Sequence, residues 1–266
     1  MKMDLKHGDC LEILKDIPDK TVDLVFADLP YGQTSCSWDS KVDLQLLWEQ
    51  LLRIAKDEHT PFFFTVTTKF GYELIKSNEK MFKYDLVWAK SSPCGFLQAK
   101  KQPMRKHEML YVFYKKQPAY DISSHKHKFK KEEKTEVKYD VEPLPVSVIK
   151  EDDKQCYSMK CGKDHYEDYK TKLGYANRKN GESAYDPPLP TSVLDIKSIR
   201  LKQHSTAKPP DLMKWILKYY TKEGDTVLDP TMGSNSMGLA CKEMNRNFIG
   251  IEKDKDIYEF ACSRVS

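Results

Sequence analysis

One stretch near the C-terminal end decides the fold, VLDPTMGSNS at residues 227–236. An apolar strand ends in an acid, a turn rich in small residues follows, and a helix begins at about Ser236. Gly233 allows a ligand to approach the backbone closely, as in nucleotide-binding turns. The loop lacks both the G-x-G-x-x-G pattern and the Gly-Lys-Ser/Thr ending of a phosphate loop. It therefore favours a nucleoside ligand without phosphates.

An acid follows this loop at a spacing typical of a ribose ligand. Glu252 lies 23 residues after Asp229, at the end of the next predicted strand. In Rossmann-type sites an acid about 20 residues further along the chain bonds the ribose hydroxyls. The spacing favours this role for Glu252 over that of a solvated acid at a strand end.

In the rest of the chain, predicted strands and helices lie on both sides of a polar middle segment. Predicted strands are 21–28, 62–66, 84–88, 109–114, 226–229 and 247–252, and predicted helices are 44–54, 211–220 and 236–244. Strands separated by helices predict a mostly parallel sheet with crossover helices. We therefore expect an α/β, Rossmann-like domain formed by 1–116 and 193–266, interrupted by 117–192.

The middle segment has weak periodicity and many Lys, Asp, Glu, Tyr and Pro residues. Disorder is one interpretation of such a composition, and a small, loop-rich insertion is the favoured one because tyrosines and apolar residues are scattered through it. Residues 115–179 contain 16 Lys and Arg against 12 Asp and Glu. The net charge of this segment, +4, equals the net charge of the whole chain.

Composition limits the function classes. The 266 residues suffice for one core and a small subdomain. Seven scattered cysteines do not form a disulfide framework and favour a reducing compartment. Cys156, Cys161 and His165 lack a fourth ligand, so we expect no metal. No apolar run suits a signal peptide or a membrane span, so we expect a soluble, cytoplasmic protein.

A second stretch, Asp28-Leu29-Pro30-Tyr31, follows the predicted strand 21–28 and places a carboxylate at the carboxyl edge of the sheet. It is also a good turn sequence, so a purely structural role stays open.

An exocyclic amino nitrogen of a base is a poor nucleophile because its lone pair is delocalised. Asp28 and the Leu29 carbonyl, held by Pro30, form an acceptor pair that can free that lone pair. Tyr31 offers a face on which an extruded base can stack.

Together these stretches resemble the N6-adenine and N4-cytosine amino-methyltransferases of DNA, of bacterial or viral type. The tetrapeptide at 28–31 is similar to the catalytic Asp-Pro-Pro-Tyr, and 229–236 is similar to the cofactor loop Asp-Pro-Phe-x-Gly-Ser-Gly-Thr. The segment 204–209, HSTAKP, is similar to a His-Pro-Thr-Gln-Lys-Pro box that closes over methionine. The segment 8–11, GDCL, is similar to one whose acid approaches the adenine of the cofactor. The catalytic tetrapeptide precedes the cofactor loop, an order that resembles the permuted beta class.

The resemblance implies S-adenosylmethionine as cofactor, with S-adenosylhomocysteine as product. The cofactor-binding residues that it implies, with those argued above, are Asp9, Cys10, Asp28, His204, Ser205, Thr206, Lys208, Asp229, Pro230, Thr231, Gly233, Ser234, Asn235, Ser236 and Glu252. Three departures from the family pattern stand out: Leu29 for Pro, Asn235 for Gly, and Ser205 with Ala207 for Pro and Gln. Asn tolerates a positive φ better than most residues. None of these changes removes a required functional group.

The implied activity is methylation of adenine N6 in duplex DNA by base flipping, since in the family a leading Asp is commoner with adenine. N4-cytosine methylation, RNA adenine methylation and an inactive nucleic-acid-binding relative are the alternatives. The family keeps its target-recognition region where 117–192 lies. Many relatives are homodimers, and a cognate restriction endonuclease is a further expected partner.

A basic segment follows the strand 84–88. Residues 90–106 contain no acid and read as a loop. Basic and aromatic side chains there suit phosphate contact and base wedging, although a solvated loop is the plainer interpretation. The candidate DNA-binding residues are Lys90, Phe96, Lys100, Lys101, Arg105 and Lys106.

Overall fold

The computed structural model describes residues 1–30, 42–128, 183–199 and 207–265. The strands in this part of the chain are β1 (Met3–His7), β2 (Leu24–Ala27), β3 (Phe62–Val66), β4 (Phe82–Cys94), β5 (Arg105–Phe113), β6 (Lys126–His127), β7 (Tyr185–Asp186), β8 (Val193–Asp195), β9 (Thr226–Asp229) and β10 (Asn247–Glu252). The helices are α1 (Cys10–Ile13), α2 (Leu44–Ile54), α3 (Thr68–Ser77), α4 (Pro210–Tyr220), α5 (Ser236–Glu243) and α6 (Lys255–Ser263), with 3₁₀ turns at Leu14–Asp16 and Phe96–Gln98.

Eight strands form one sheet in the order β1-β10-β9-β2-β3-β5-β4-β8. The neighbours from β1 to β3 are all parallel, while β5 is antiparallel to both β3 and β4. The strand that follows β2 in the chain, β3, lies on the side of β2 away from β9. The strand that follows β9, β10, lies on the side of β9 away from β2. The gap between β2 and β9 is therefore the switch point at which ligands bind in open α/β sheets.

Alternate side chains of the central strands enter two separate cores, as the two-residue period of a strand requires. Leu24 and Phe26 of β2 pack with α4 and α5, whereas Val25 and Ala27 pack with α2 and α3. Helices thus cover both faces of the sheet, and the predicted α/β fold class is confirmed.

Most element bounds agree with the sequence prediction, and the hairpin β4–β5 does not. Helix 44–54 and strands 62–66, 226–229 and 247–252 are confirmed. The prediction that 90–106 is one loop is wrong, because β4 continues to Cys94 and β5 begins at Arg105. Pairing between the two strands, with a register shift between Ala89 and Cys94, extends both of them beyond their apolar stretches.

The chain divides into two compact units, Met1–Asp121 with Thr191–Ser266, and Ile122–Pro190. In the second unit β6 and β7 form an antiparallel pair, and the N–H of Lys128 donates to the carbonyl of Ala184 at 2.8 Å. Residues 129–182, which include Cys156, Cys161 and His165, lie outside the described residues.

The helices that the structure describes include none that is both long and apolar enough to cross a membrane. Within the same ranges, no three His, Cys, Asp or Glu side chains are grouped as metal ligands would be.

Candidate active site

Four neighbouring parallel strands each place an acid at their carboxyl end. Asp9 follows β1, Glu252 ends β10, Asp229 ends β9 and Asp28 follows β2. Since these strands are adjacent in the sheet, residues that lie far apart in the sequence meet along one edge. This edge includes the switch point, and the candidate site is built there.

Asp28 is held by both of its carboxylate oxygens. Thr65 of β3 donates its hydroxyl hydrogen to Oδ1, and the Lys208 ammonium donates to Oδ2. The next residue, Leu29, is buried in the core beneath the site. The carboxylate is thus fixed by a neighbouring strand and by the segment that leads into α4. Tyr31, which completes the tetrapeptide, lies outside the described residues.

Lys208 is a buried cation between two acids. Its side chain is 10% exposed, and Nζ also lies 3.6 Å from Glu108 Oε2 on β5. Burial alone would lower the pKa of Lys208, but the charges of Asp28 and Glu108 and their hydrogen bonds outweigh it, so the pKa is raised. Lys208 is therefore an ammonium ion at neutral pH. His204, Ser205 and Thr206, predicted to share its cofactor role, lie outside the described residues.

Asp229 is a buried acid at the start of the loop that leads to α5. Its Oδ1 accepts a hydrogen bond from the backbone N–H of Thr231 at 3.1 Å. Burial raises the pKa of Asp229 well above its usual range. The backbone hydrogen bond from Thr231 opposes this shift, and the nearby charges of Asp28 and Glu252 add to it. Ionisation of Asp229 is therefore unfavourable in the ligand-free site, and a cationic ligand beside it would make ionisation more favourable.

The loop from Asp229 to α5 is fixed by the strand beside it. The N–H of Gly233 donates to Glu252 Oε2 at 3.0 Å, and the N–H of Met232 donates to the carbonyl of Ile251 at 2.9 Å. Gly233 has φ 50° and Asn235 has φ 61°, both left-handed. Asn235 thus adopts the backbone conformation for which its tolerance of positive φ suits it. Its Nδ2 donates to the carbonyl of Ala261 at 3.2 Å.

Glu252 orders the backbone around it. In addition to the Gly233 N–H, its carboxylate accepts a hydrogen bond from the N–H of Asp254 at 2.8 Å. Burial raises its pKa, and these backbone hydrogen bonds oppose the shift. The carboxylate therefore already has structural partners, and the ribose role remains a prediction.

Asp9 and Cys10 lie at the far end of this row of acids. Asp9 accepts from the Leu11 N–H at 2.9 Å at the start of α1 and pairs with Lys253 at 3.0 Å. Burial would raise the pKa of Asp9, but these contacts outweigh it and the pKa is lowered. Cys10 is buried in the core, and burial raises the pKa of its thiol to about 11. Cys10 therefore contributes packing and an un-ionised thiol.

A cleft opens between the ends of β2 and β9. It is lined by Phe26, Asp28, Ala207, Lys208, Met213, Asp229, Thr231, Met232, Gly233, Ser234, Ser236 and Met237. Among the described residues, Thr231 Oγ1 is buried without a hydrogen-bond partner. The cleft therefore combines two acids, the Lys208 ammonium paired with one of them, a polar atom in need of a partner, and apolar side chains including three methionines. This donor set fits a nucleoside cofactor that carries positive charge.

The predicted DNA-contact residues fall into two groups. Gly95, with φ 90°, begins a turn whose side chains Phe96 and Leu97 are 81% and 98% exposed. Lys100, Lys101 and Lys106 are exposed, and Arg105 is half-buried. Lys90 differs, because it is buried in β4 and its Nζ donates to Glu108 Oε1 at 2.8 Å. The hairpin segment 95–106 is thus the exposed basic surface, and Lys90 is part of its support.

Sequence reasoning missed two residues that hold Asp28 in place, Thr65 directly and Glu108 through Lys208. Thr65 is the one hydroxyl residue in the apolar strand β3, which is a weak signal of a polar role at that strand end. Glu108 follows His107 in the sequence with no local signal of a role. Its place depends on the antiparallel insertion of β5 between β3 and β4, which the order of elements along the chain does not reveal.

Known DNA methyltransferases are similar to this chain over nearly its whole length. The type II methyltransferase M.HinfI of Haemophilus influenzae is 27% identical, over 97% of this chain and 67% of that protein. The DNA adenine methyltransferase YhdJ of Escherichia coli K12 is 25% identical, over 97% of this chain and 81% of that protein. A shorter match, to M.HindIII of Haemophilus influenzae, is 48% identical but covers only 23% of this chain and 20% of that protein.

Solved structures share the fold. A complex of M1.HpyAVI with S-adenosylmethionine aligns with a TM-score of 0.59 at 20% identity, over 99% of this chain and all of that one. The cytosine-N4-specific PvuII DNA methyltransferase aligns with a TM-score of 0.64 at 14% identity, over all of this chain and 87% of that one. The DNA methylase family that unites N6 and N4 enzymes matches residues 22–263. The chain therefore belongs to this family of DNA methylases.

Proposed function

We propose that this protein transfers a methyl group from S-adenosylmethionine to the N6 amino group of adenine in duplex DNA. One observation carries the proposal: the Asp28 carboxylate lies in the same cleft as the loop that Asp229 begins. A hydrogen-bond acceptor for an amine and a site for a cationic nucleoside thus share one small space.

The cleft residues suit S-adenosylmethionine, whose sulfonium and ammonium groups are cationic. Asp229 is an acid whose ionisation a neighbouring cation would favour, Thr231 Oγ1 lacks a partner in the described structure, and Gly233 leaves the backbone open to close approach. Glu252, at the next strand end, is the proposed ribose ligand. The bound cofactor supplies a methyl group on a sulfonium sulfur, which keeps the bonding electron pair when the methyl group leaves.

Asp28 prepares the amine for attack. An ionised carboxylate offers about four lone-pair sites, so Asp28 can accept hydrogen bonds from the amino group of the base as well as from Thr65 and Lys208. By accepting hydrogen bonds from the amino group, Asp28 and the Leu29 carbonyl draw the nitrogen toward tetrahedral geometry and direct its lone pair at the methyl group. As the nitrogen gains the methyl group, one of its hydrogens leaves as a proton along the hydrogen bond to Asp28. Tyr31 is proposed to stack on the extruded base. Fixed positions and electrostatics account for most of the acceleration in this scheme.

The hairpin segment 95–106 is the proposed DNA contact. Its lysines suit phosphate oxygens, and the exposed Phe96 and Leu97 at its tip suit insertion beside a base that leaves the stack. Lys90 is withdrawn from this group because it is buried. The insertion 117–192 remains the proposed target-recognition region, and a homodimer and a cognate endonuclease remain predictions from the family resemblance.

Adenine is the proposed base because the tetrapeptide begins with Asp28. The relatives include enzymes named for each of the two bases, an adenine methyltransferase and a cytosine-N4 enzyme. Plasmid DNA from cells that express the protein, digested to nucleosides and analysed by mass spectrometry, is expected to contain N6-methyladenine. Detection of N4-methylcytosine in its place would assign the activity to cytosine. Absence of both methylated bases would refute the proposed function.

The substitution Asp28→Ala tests the role of the carboxylate. We expect the rate of methyl transfer to fall by about 10²–10³-fold or more, because the acceptor that frees the lone pair is lost. Binding of S-adenosylmethionine, measured by calorimetry, is expected to persist. Asp211→Asn, on the exposed first turn of α4, is the control and is expected to leave both quantities unchanged. Full transfer activity in Asp28→Ala would contradict the assignment.

A further inference from the structure

A row of alternating charges leads from the catalytic carboxylate into the sheet. Lys208 Nζ donates to Asp28 Oδ2 and lies 3.6 Å from Glu108 Oε2. The other oxygen of the same group, Glu108 Oε1, accepts from Lys90 Nζ at 2.8 Å. The row thus runs from the end of β2 to β5 and β4, and each member is next to a charge of opposite sign.

Both cations of the row are buried. The Lys208 and Lys90 side chains are 10% and 9% exposed, a degree of burial at which an ammonium ion requires an ionic partner. Burial alone would lower the pKa of Lys90 also, but its hydrogen bond to Glu108 and the charge of that group outweigh it and raise the pKa. Glu108 therefore stabilises both ammonium ions.

We propose that Glu108 is a positioning residue for the methyl-transfer reaction, because it holds the Lys208 ammonium against Asp28 Oδ2. Thr65 holds the other oxygen, so the two donors together fix the plane of the carboxylate that faces the cleft. Glu108 acts through Lys208, and Lys90 in turn holds Glu108. This role rests on the proposed function, since it assigns Asp28 to the chemical step.

The substitution Glu108→Gln removes the charge and keeps the size of the side chain. We expect the single-turnover rate of methyl transfer to fall about 10- to 100-fold, by analogy with the loss of the outer hydrogen-bond partners of metal ligands. The dissociation constant for S-adenosylmethionine is expected to change less than twofold. Glu58→Gln is the matched control, because it breaks an exposed glutamate–lysine pair, Glu58 with Lys116 at 2.7 Å.

The pH profile separates positioning from a structural role. Glu108 raises the pKa of Lys208, so removal of its charge lowers that pKa and moves the alkaline limb of the rate profile to lower pH. Glu58→Gln is expected to leave the limb in place. Lys208→Arg keeps a cation beside Asp28 and is expected to retain more activity than Lys208→Met. An unchanged rate in Glu108→Gln, or a reduced rate with an unmoved alkaline limb, would overturn the proposal.

Crystal structures without DNA test the same inference apart from activity. In Glu108→Gln the Lys208 ammonium keeps Asp28 as its ionic partner, so we expect the ammonium to move away from residue 108 and the plane of the Asp28 carboxylate to rotate with it. An ammonium and a carboxylate that stay in their wild-type positions would overturn the positioning role. Failure of the wild-type protein to methylate any DNA would refute the proposed function. The crystal structures would still decide whether Glu108 holds Lys208 against Asp28, because they do not depend on activity.

Discussion

At the scale of single residues, the site keeps an acid away from water. Asp229 is only 2% exposed, and the negative groups near it, Asp28 and Glu252, add to the cost of ionising it. One backbone N–H, from Thr231, offsets part of that cost. An acid in this environment lowers the stability of the ligand-free protein and favours the binding of a cation. In the proposed function, Asp229 therefore serves cofactor binding at the expense of stability.

The substitution Asp229→Asn tests whether ionisation of Asp229 lowers the stability of the ligand-free protein and favours binding of a cation. An acid whose pKa is raised by folding binds its proton more tightly in the folded state, so the wild type loses stability as the pH rises through that raised pKa. The amide of the variant does not ionise. We expect Asp229→Asn to raise the melting temperature at pH 8, and the difference to shrink as the pH falls below the raised pKa. Calorimetry is expected to show weaker binding of S-adenosylmethionine.

Asp211→Asn provides the reference for that titration. Its carboxylate is exposed on α4, so this substitution removes one acid and leaves the buried site intact. A melting difference between Asp229→Asn and wild type that stays constant from pH 5 to pH 9 would contradict the assigned ionisation.

At the scale of elements, the strand ends could be predicted from the sequence and the hairpin β4–β5 could not. Apolar runs that end in an acid, at Asp28 and Asp229, identify both the strands and the edge where ligands bind. The hairpin lacks such a signal, because β4 beyond Trp88 is largely polar and is held by pairing with β5. The prediction of one basic loop therefore included Lys90, which pairing places inside the fold. Tertiary pairing, which local patterns do not encode, determined this part of the site.

The exposed part of the hairpin makes a prediction about salt. Lys100→Ala with Lys101→Ala is expected to weaken DNA binding and to reduce the slope of log K against log salt by about 0.9 for each phosphate contact removed. Fluorescence anisotropy at several salt concentrations measures this slope. Lys76→Ala with Lys80→Ala removes the same charge at the end of α3 and just beyond it, and is expected to leave the slope unchanged. Equal effects of the two double variants would contradict a specific contact by the hairpin.

At the scale of the whole molecule, one sheet is built from both ends of the chain. β1 pairs with β10 and β2 pairs with β9, while Ile122–Pro190 forms a unit of its own. Sequence texture predicted an insertion at 117–192, since periodicity is lost there and returns afterwards. It did not predict the short antiparallel pair β6–β7, whose two-residue strands are too brief to produce a pattern.

The β6–β7 pair brings two points of the insertion close together, so the residues between them can be replaced by a short turn. Because β6 and β7 place Lys128 beside Ala184, a four-residue turn of Asn and Gly can replace 129–182. We expect the shortened protein to melt cooperatively and to bind S-adenosylmethionine with unchanged affinity. Modification sequencing is expected to show loss of methylation at the wild-type recognition site. Methylation of the same sites at the same rate would exclude a role for 129–182 in target recognition.

The pairing of β2 with β9 also bears on how the protein is made. Asp28 and Asp229 are separated by about 200 residues, which a ribosome adds in roughly 10–40 s at ordinary translation rates. During that time β2 has no neighbour on the side that β9 will occupy, and its apolar edge is open to other chains. Chaperones that cover such edges are therefore expected to bind the nascent chain. Methylating activity can begin only after β9 has left the ribosome.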